Sequence, residues 1–178
     1  MISKNLFSGV IHLEPTNFLD ERGFFRENFN KRQFEEHSIS FEPLQDNFSF
    51  SKKEGTIRGL HFQKDPYDQA KIIYVLAGSI FDVFLDIRKN SKTFGMFDSI
   101  KLSPDSGCIY IPKGFAHGFC TLEDNTTVMY KVDNYYNKDS ESGIKWSDND
   151  LSINWPKYNE YLISEKDKKL GRFKDLFL

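Results

Sequence analysis

An all-β fold, a sandwich or barrel of short strands, is the class this chain predicts, and three observations predict it. Aromatic residues are dense, with 18 phenylalanines and 8 tyrosines, and such side chains favour pleated, half-buried surfaces. From residue 70 onward, short apolar runs are separated by Gly, Pro, Asn, Asp and Ser at turn spacing, the signature of successive strands. A length of 178 residues fits one domain, 1–178, large enough to bury a core without disulfides or a structural metal.

Residues 6 to 14 read as a first strand ended by Pro15, with His12 a surface or packing residue. Residues 18 to 27 form a polar turn followed by an aromatic strand, in which Arg22 and Glu27 stand out; their ordinary explanation is an exposed salt bridge worth little. Asn30 is a fair N-cap for a short helix over Lys31 to His37. Residues 41 to 51 alternate: Gln45, Asn47, Ser49 and Ser51 share one face, and Leu44, Asp46, Phe48 and Phe50 the other. The polar row is either a solvent face or a pocket lining. Strands follow over 71–76 and 79–87, joined at Ala77-Gly78, then over 96–102, 107–111, 115–121 and 126–132. Asp82 and Asp86 fall in phase, so if that phase faces inward at least one requires a buried partner. The last third is loop-rich, anchored by Trp146 and Trp155, with a short helix near Ser164 to Leu170.

Charge and motifs exclude several function classes. A net charge of -2 gives no global attraction to nucleic acid or to an anionic membrane, and no stretch reaches the ~20 apolar residues of a membrane span. Nothing near Met1 resembles a signal peptide, because Lys4, Asn5 and Ser8 interrupt any apolar run. Cys108 and Cys120 lack CxxC spacing and read as buried thiols of a reducing cytoplasm. No Gly-rich phosphate loop and no Gly-x-Ser-x-Gly elbow occurs. A metal site needs three or four good ligands, whereas Gln63 stands two positions after His61 where a cupin-type site wants a second histidine and leaves only His61 and His117 available, so no metal is expected.

The segment Arg58-Gly59-Leu60-His61-Phe62-Gln63 concentrates the chemistry. Strict alternation puts His61 and Gln63 on one face and Arg58 with Leu60 on the other. Gln69 and Lys71 repeat the two-residue beat, which brings Lys71 into the same pocket if the two strands pair. An imidazole near an ammonium and a guanidinium suits proton transfer beside an anionic ligand. His61 supplies a base with a pKa near working pH, tyrosines in 130–136 an acid, and Lys71 a cation for developing negative charge. Asp167 is placed to orient His61, although Ser164 three residues earlier also fits a helix-start cap.

With these residues in order, the chain resembles the dTDP-4-dehydrorhamnose 3,5-epimerase family of metal-free cupin sugar-nucleotide epimerases. The resemblance spans about Phe18 to Lys169. It rests on Asp20-Glu21-Arg22-Gly23-Phe24-Phe25 with Glu27, Gln45-Asp46-Asn47, Arg58 to Gln63, Gln69-Ala70-Lys71, Phe81-Asp82-Val83 with Asp86-Ile87-Arg88, Ile111 to Phe119, Tyr130-Lys131, Asn134-Tyr135-Tyr136 and Trp155-Pro156.

The resemblance implies a cupin-type β-jelly-roll with a few short helices, and a homodimer in which N-terminal strands of one subunit help form the nucleotide site of the other. It implies His61 as general base, Tyr130 as general acid, Asp167 as the carboxylate paired with the base, and Lys71 as the cation at the ketone oxygen. Arg22, Glu27, Gln45, Asp46, Asn47, Arg58, His117, Glu141 and Lys166 match positions that bind the nucleotide sugar, with Phe25 and Tyr136 sandwiching its base. No cofactor is implied. Phe48 departs from the pattern, since relatives often carry a polar residue there. Relatives that epimerise only C-3 or only C-5, or act on a GDP-linked sugar, use the same base and acid, and a silent sugar-nucleotide-binding cupin is the non-enzymatic alternative.

Overall fold

The computed structural model describes residues 1–178 and is an antiparallel β-sandwich of the jelly-roll kind. The first sheet runs in the order β1 (Ile2–Phe7), β2 (Val10–Glu14), β10 (Cys108–Ile111), β7 (Lys71–Ala77), β12 (Thr126–Val132), β5 (Gln45–Ser51). The second runs β13 (Glu141–Gly143), β6 (Thr56–Gln63), β11 (Phe115–Thr121), β8 (Ile80–Asp86), β9 (Phe97–Leu102), with β14 (Leu162–Ile163) also pairing β6. A separate hairpin, β3 (Phe18–Asp20) and β4 (Gly23–Phe25), belongs to neither sheet. No helix is long and apolar enough to cross a membrane.

Both central faces and both outer faces are apolar, which explains the near-continuous hydrophobic runs in β7 and β8. Between the sheets, Ile73, Val75, Phe84, Ile109, Phe115 and Val128 interdigitate. Outside the first sheet, Ile72, Tyr74 and Cys108 are covered by Phe34, Ile39 and Phe41. Phe34 comes from helix α1 (Lys31–Glu36), whose N-cap Asn30 accepts from the Gln33 amide. Outside the second sheet, Leu60, Val83, Leu85 and Ala116 are covered by Trp155 and Phe173, the latter on helix α2 (Phe173–Phe177). Successive residues of one strand therefore feed two different cores.

Several expectations change. Residues 6–14 are not one strand: Ser8 (φ 48) and Gly9 (φ 97) adopt left-handed backbone and turn the chain, so β1 and β2 pair. β7 and β8 meet near Ala77-Gly78 but lie in opposite sheets. The helix expected over 164–170 is a single 3-10 turn at Asp167–Lys169, and α2 follows it. Asp82 and Asp86 are both fully buried, and both find partners. Asp86 accepts from Arg88, Ser91, Thr93 and Ser8, while Asp82 accepts from His117. Cys108 and Cys120 are buried, and burial pushes each thiol up to about 12.

Candidate active site

At one end of the sandwich the interior stops being apolar and opens into a cleft of about 740 Å³, lined from both sheets. The polar row of β5 forms part of its wall: Gln45, Asn47, Ser49 and Ser51 face in, while Asp46, Phe48 and Phe50 are exposed. Arg58, His61 and Gln63 enter from β6, His117 from β11, and Lys71 and Tyr130 from β7 and β12 of the facing sheet.

Strict alternation misplaces Arg58, and a bulge is the reason. His117 pairs with His61 but Phe119 pairs with Arg58, so three steps along β6 match two along β11. The extra residue rotates Arg58 onto the face of His61. Glycine permits the approach: a Cβ at Gly59 (φ 116) would sit 2.6 Å from the Gly118 Cα, and one at Gly118 would sit 2.7 Å from the Arg58 carbonyl oxygen. Lys71 reaches the cleft without any pairing between β6 and β7, because it crosses from the opposite sheet.

Two histidine–carboxylate pairs stand side by side. His61 Nε2 lies 2.8 Å from Asp167 Oδ1. The other Asp167 oxygen accepts from the Gly59 amide at 3.1 Å, and the Asp167 amide donates to Ser164 Oγ at 3.0 Å. Lys166, not Ser164, stands at the N-cap of the turn, and the Ser164 hydroxyl instead tethers the Asp167 backbone beside His61. Burial alone would raise the Asp167 carboxyl, but the bond and charge of His61, then the Gly59 and Ser164 contacts, hold it below its ordinary value. An ionised Asp167 requires a proton on His61 Nε2 and leaves Nδ1 as the free acceptor. The second pair is His117 Nε2 and Asp82 Oδ1 at 2.8 Å, almost completely buried.

The facing wall carries an acid and a cation. Burial is the chief influence raising the Tyr130 phenol, against the nearby Arg58 charge, so it stays protonated at neutral pH. Burial pushes the Lys71 ammonium down to about 8, with Asp82 and then Glu141 opposing the fall. No three His, Cys, Asp or Glu side chains come together as a metal-binding set.

A family model described as dTDP-4-dehydrorhamnose 3,5-epimerase matches residues 4–175 of the chain. The chain belongs to the dTDP-4-dehydrorhamnose 3,5-epimerase family. A relative of that name from Shigella flexneri is 46% identical over 98% of this chain and 96% of its own. The structure of the Bacillus anthracis relative, with TDP and PPi bound, superposes with a TM-score of 0.93 at 47% identity, covering 96% of this chain and 97% of that one. The Legionella pneumophila relative, in complex with dTDP-4-keto-L-rhamnose, gives 0.92 at 39% identity, covering 97% and 93%.

For a member of this epimerase family, the remaining site residues fall into two groups. At the cleft mouth Glu141 accepts from the Tyr136 hydroxyl at 2.7 Å and pairs with Lys166 Nζ at 2.5 Å, and Tyr136 donates its amide to Gln45. Asp46, Arg22, Phe25 and Glu27 lie outside this cleft. Asp46 points to the outer face of β5 and bonds Lys131; Arg22 pairs with Asp20 in the β3–β4 turn; Glu27 accepts from Gln33; and Phe25 is 68% exposed. The motif that resembled a substrate-binding segment is thus not part of the site within one chain. Sequence reasoning left Ser49 and Ser51 open between solvent face and pocket lining, because the alternation of 41–51 could not tell one from the other, and it passed over Lys52 as a lining residue.

Proposed function

We propose that this chain is an isomerase that inverts C-3 and C-5 of a nucleotide-linked 4-keto-6-deoxy sugar, converting dTDP-4-keto-6-deoxyglucose to dTDP-4-keto-L-rhamnose. The observation that carries the reading is the placement of an oriented imidazole and a protonated phenol on opposite sheets across one cleft. Inversion at carbon requires a proton to leave one face and return to the other, so base and acid must face each other. Both C-3 and C-5 adjoin the C-4 carbonyl, and loss of either proton gives an enolate delocalised onto O-4. His61 Nδ1 takes the proton, Asp167 stabilises the imidazolium that forms, the Lys71 ammonium holds the enolate oxygen, and Tyr130 delivers a proton to the opposite face. Exchange with water then restores both groups. These steps are complete without a metal or redox cofactor.

Arg58, braced by Ser51 Oγ at 3.3 Å and the Phe50 carbonyl at 3.0 Å, takes the diphosphate, to which a guanidinium can present two parallel donors. Gln45, Asn47, His117, Glu141 and Lys166 contact the nucleotide sugar, and Tyr136 stacks on its base. Arg22, Phe25, Glu27 and Asp46 serve the site of a second copy in a homodimer. This is supported by the solvent-facing apolar side chains of the β3–β4 hairpin, where Leu19 is 80% and Phe25 68% exposed. A single domain, 1–178, carries the activity in the cytoplasm, with no nucleic-acid or membrane partner. Incubation with dTDP-4-keto-6-deoxyglucose in deuterated water, followed by NMR, tests the reading: deuterium at both carbons is expected. Label at one carbon only would make this a single epimerase, and no label would overturn the assignment.

A further inference from the structure

Asp82 takes part in none of these steps and does not line the cleft, yet it is fully buried on β8 behind His117, which does. One oxygen is held by His117 Nε2 at 2.8 Å. The other, Oδ2, is buried without any hydrogen-bond partner. An unsatisfied buried acceptor is costly, more so on a charged group, and its position suggests what offsets the cost. Across the sandwich on β7 lies Lys71, itself only 8% exposed. Arg58 and His61 from β6, His117 from β11, Tyr130 from β12, Glu141 from β13, and Lys166 and Asp167 line the cleft with Lys71, and Asp82 lies buried beyond His117 on β8. Asp82 and Glu141 act on it as anions, Asp82 although burial raises its carboxyl against the opposing His117 and Lys71 charges, and Glu141 is already engaged by Lys166 and Tyr136 at the mouth.

We propose that Asp82 is a positioning residue whose Oδ1 fixes His117 in the cleft floor and whose free Oδ2 supplies the buried negative charge that keeps Lys71 an ammonium. The proposal rests on Lys71 acting as the cation at the enolate oxygen. A direct ion pair would occupy the ammonium donors, whereas a charge held short of contact leaves them for the substrate. Burial already brings Lys71 down to about 8, with Asp82 the larger of the two opposing influences. Removing that charge would leave a neutral amine near pH 7, unable to stabilise an enolate as a cation.

The test uses full-length protein carrying 13C-labelled lysine, with NMR titration of Lys71 alongside the pH profile of kcat, in wild type and Asp82→Asn. The expected result is a Lys71 titration ~1–3 pH units lower in Asp82→Asn, with the alkaline limb of kcat moving by the same amount and KM nearly unchanged. Lost stability with both titrations unmoved would reduce Asp82 to a packing residue and overturn the proposal. Should Asp82→Asn fail to fold, the carboxyl 13C signal of Asp82 in the wild type decides: ionised at pH 7 is required, and a carboxyl still protonated there overturns it. If the Lys71 titration moves and the kcat limb does not, the hold of Asp82 on Lys71 stands and the role given to Lys71 in the reaction fails.

Discussion

His61 can act as a base because its other nitrogen is committed. Asp167 is itself fixed, by the Gly59 amide and the Ser164 hydroxyl, so the imidazole has one orientation and one free lone pair. Asp167→Asn should lower kcat by about 10²-fold or more with little change in KM, the range expected when general base function is disabled; steady-state kinetics checks this. The task proposed for Tyr130 is separate, so Tyr130→Phe should impair product formation more than deuterium exchange, and equal loss of both would count against a dedicated acid. Lys71 illustrates a conflict between stability and function. Its folded pKa, about 8 against an ordinary 10.5, means that the unfolded chain binds more protons between those values. Stability from this group therefore rises with pH across that window, while activity falls as the ammonium is lost. The full penalty below pH 8 is roughly 3 kcal/mol, so Lys71→Met should raise the midpoint of urea unfolding at pH 7 and abolish turnover.

At the scale of elements, β6 and β5 decide what the cleft contains. The bulge in β6 unites Arg58, His61 and the Gly59 amide, and Gly59→Ala cannot be accommodated without moving the β11 backbone. That substitution should cost at least about 1 kcal/mol, as alanine does at a positive φ, and should lower activity further than the stability loss explains. Thermal melts and kinetics on the same sample check it. The bulge was not legible in the sequence, since alternation is a local rule and the extra residue shows only against β11. What was legible was the company of Arg58, His61 and Gln63 within six residues. β5 shows the opposite case. Its two faces were separated correctly by period, but which one was inside depended on β12 and on the cleft beyond. The strands from 71 to 132 were read to within two residues at either end, because glycine, proline and acidic turns bound them. The turn at Ser8-Gly9 was missed, since Ser8 carries no strong signal for a left-handed residue.

On the scale of the whole molecule, three packed cores border a polar cleft, and the proposed catalytic groups come from both sheets. The sandwich was legible because the central strands are buried on both sides, which makes β7 and β8 near-continuous apolar runs. Arg22, Phe25 and Glu27 meet no site within one chain, since the β3–β4 hairpin belongs to neither sheet and is exposed, and the proposed homodimer gives them one. A shared site predicts complementation. Equimolar mixing of His61→Ala with Arg22→Ala protein under subunit exchange should restore activity, because one site in each mixed dimer receives both intact groups. Mixtures no more active than their components would place both residues in one subunit's site.

The proposed reaction has one imidazole serve both carbons. Solvent exchange at C-3 and C-5 of dTDP-4-keto-6-deoxyglucose in deuterated water, with folded His61→Ala protein beside the wild type, tests this. Loss of deuterium incorporation at both positions is the predicted result. Exchange retained at either carbon would mean that another group takes that proton, and would contradict the account.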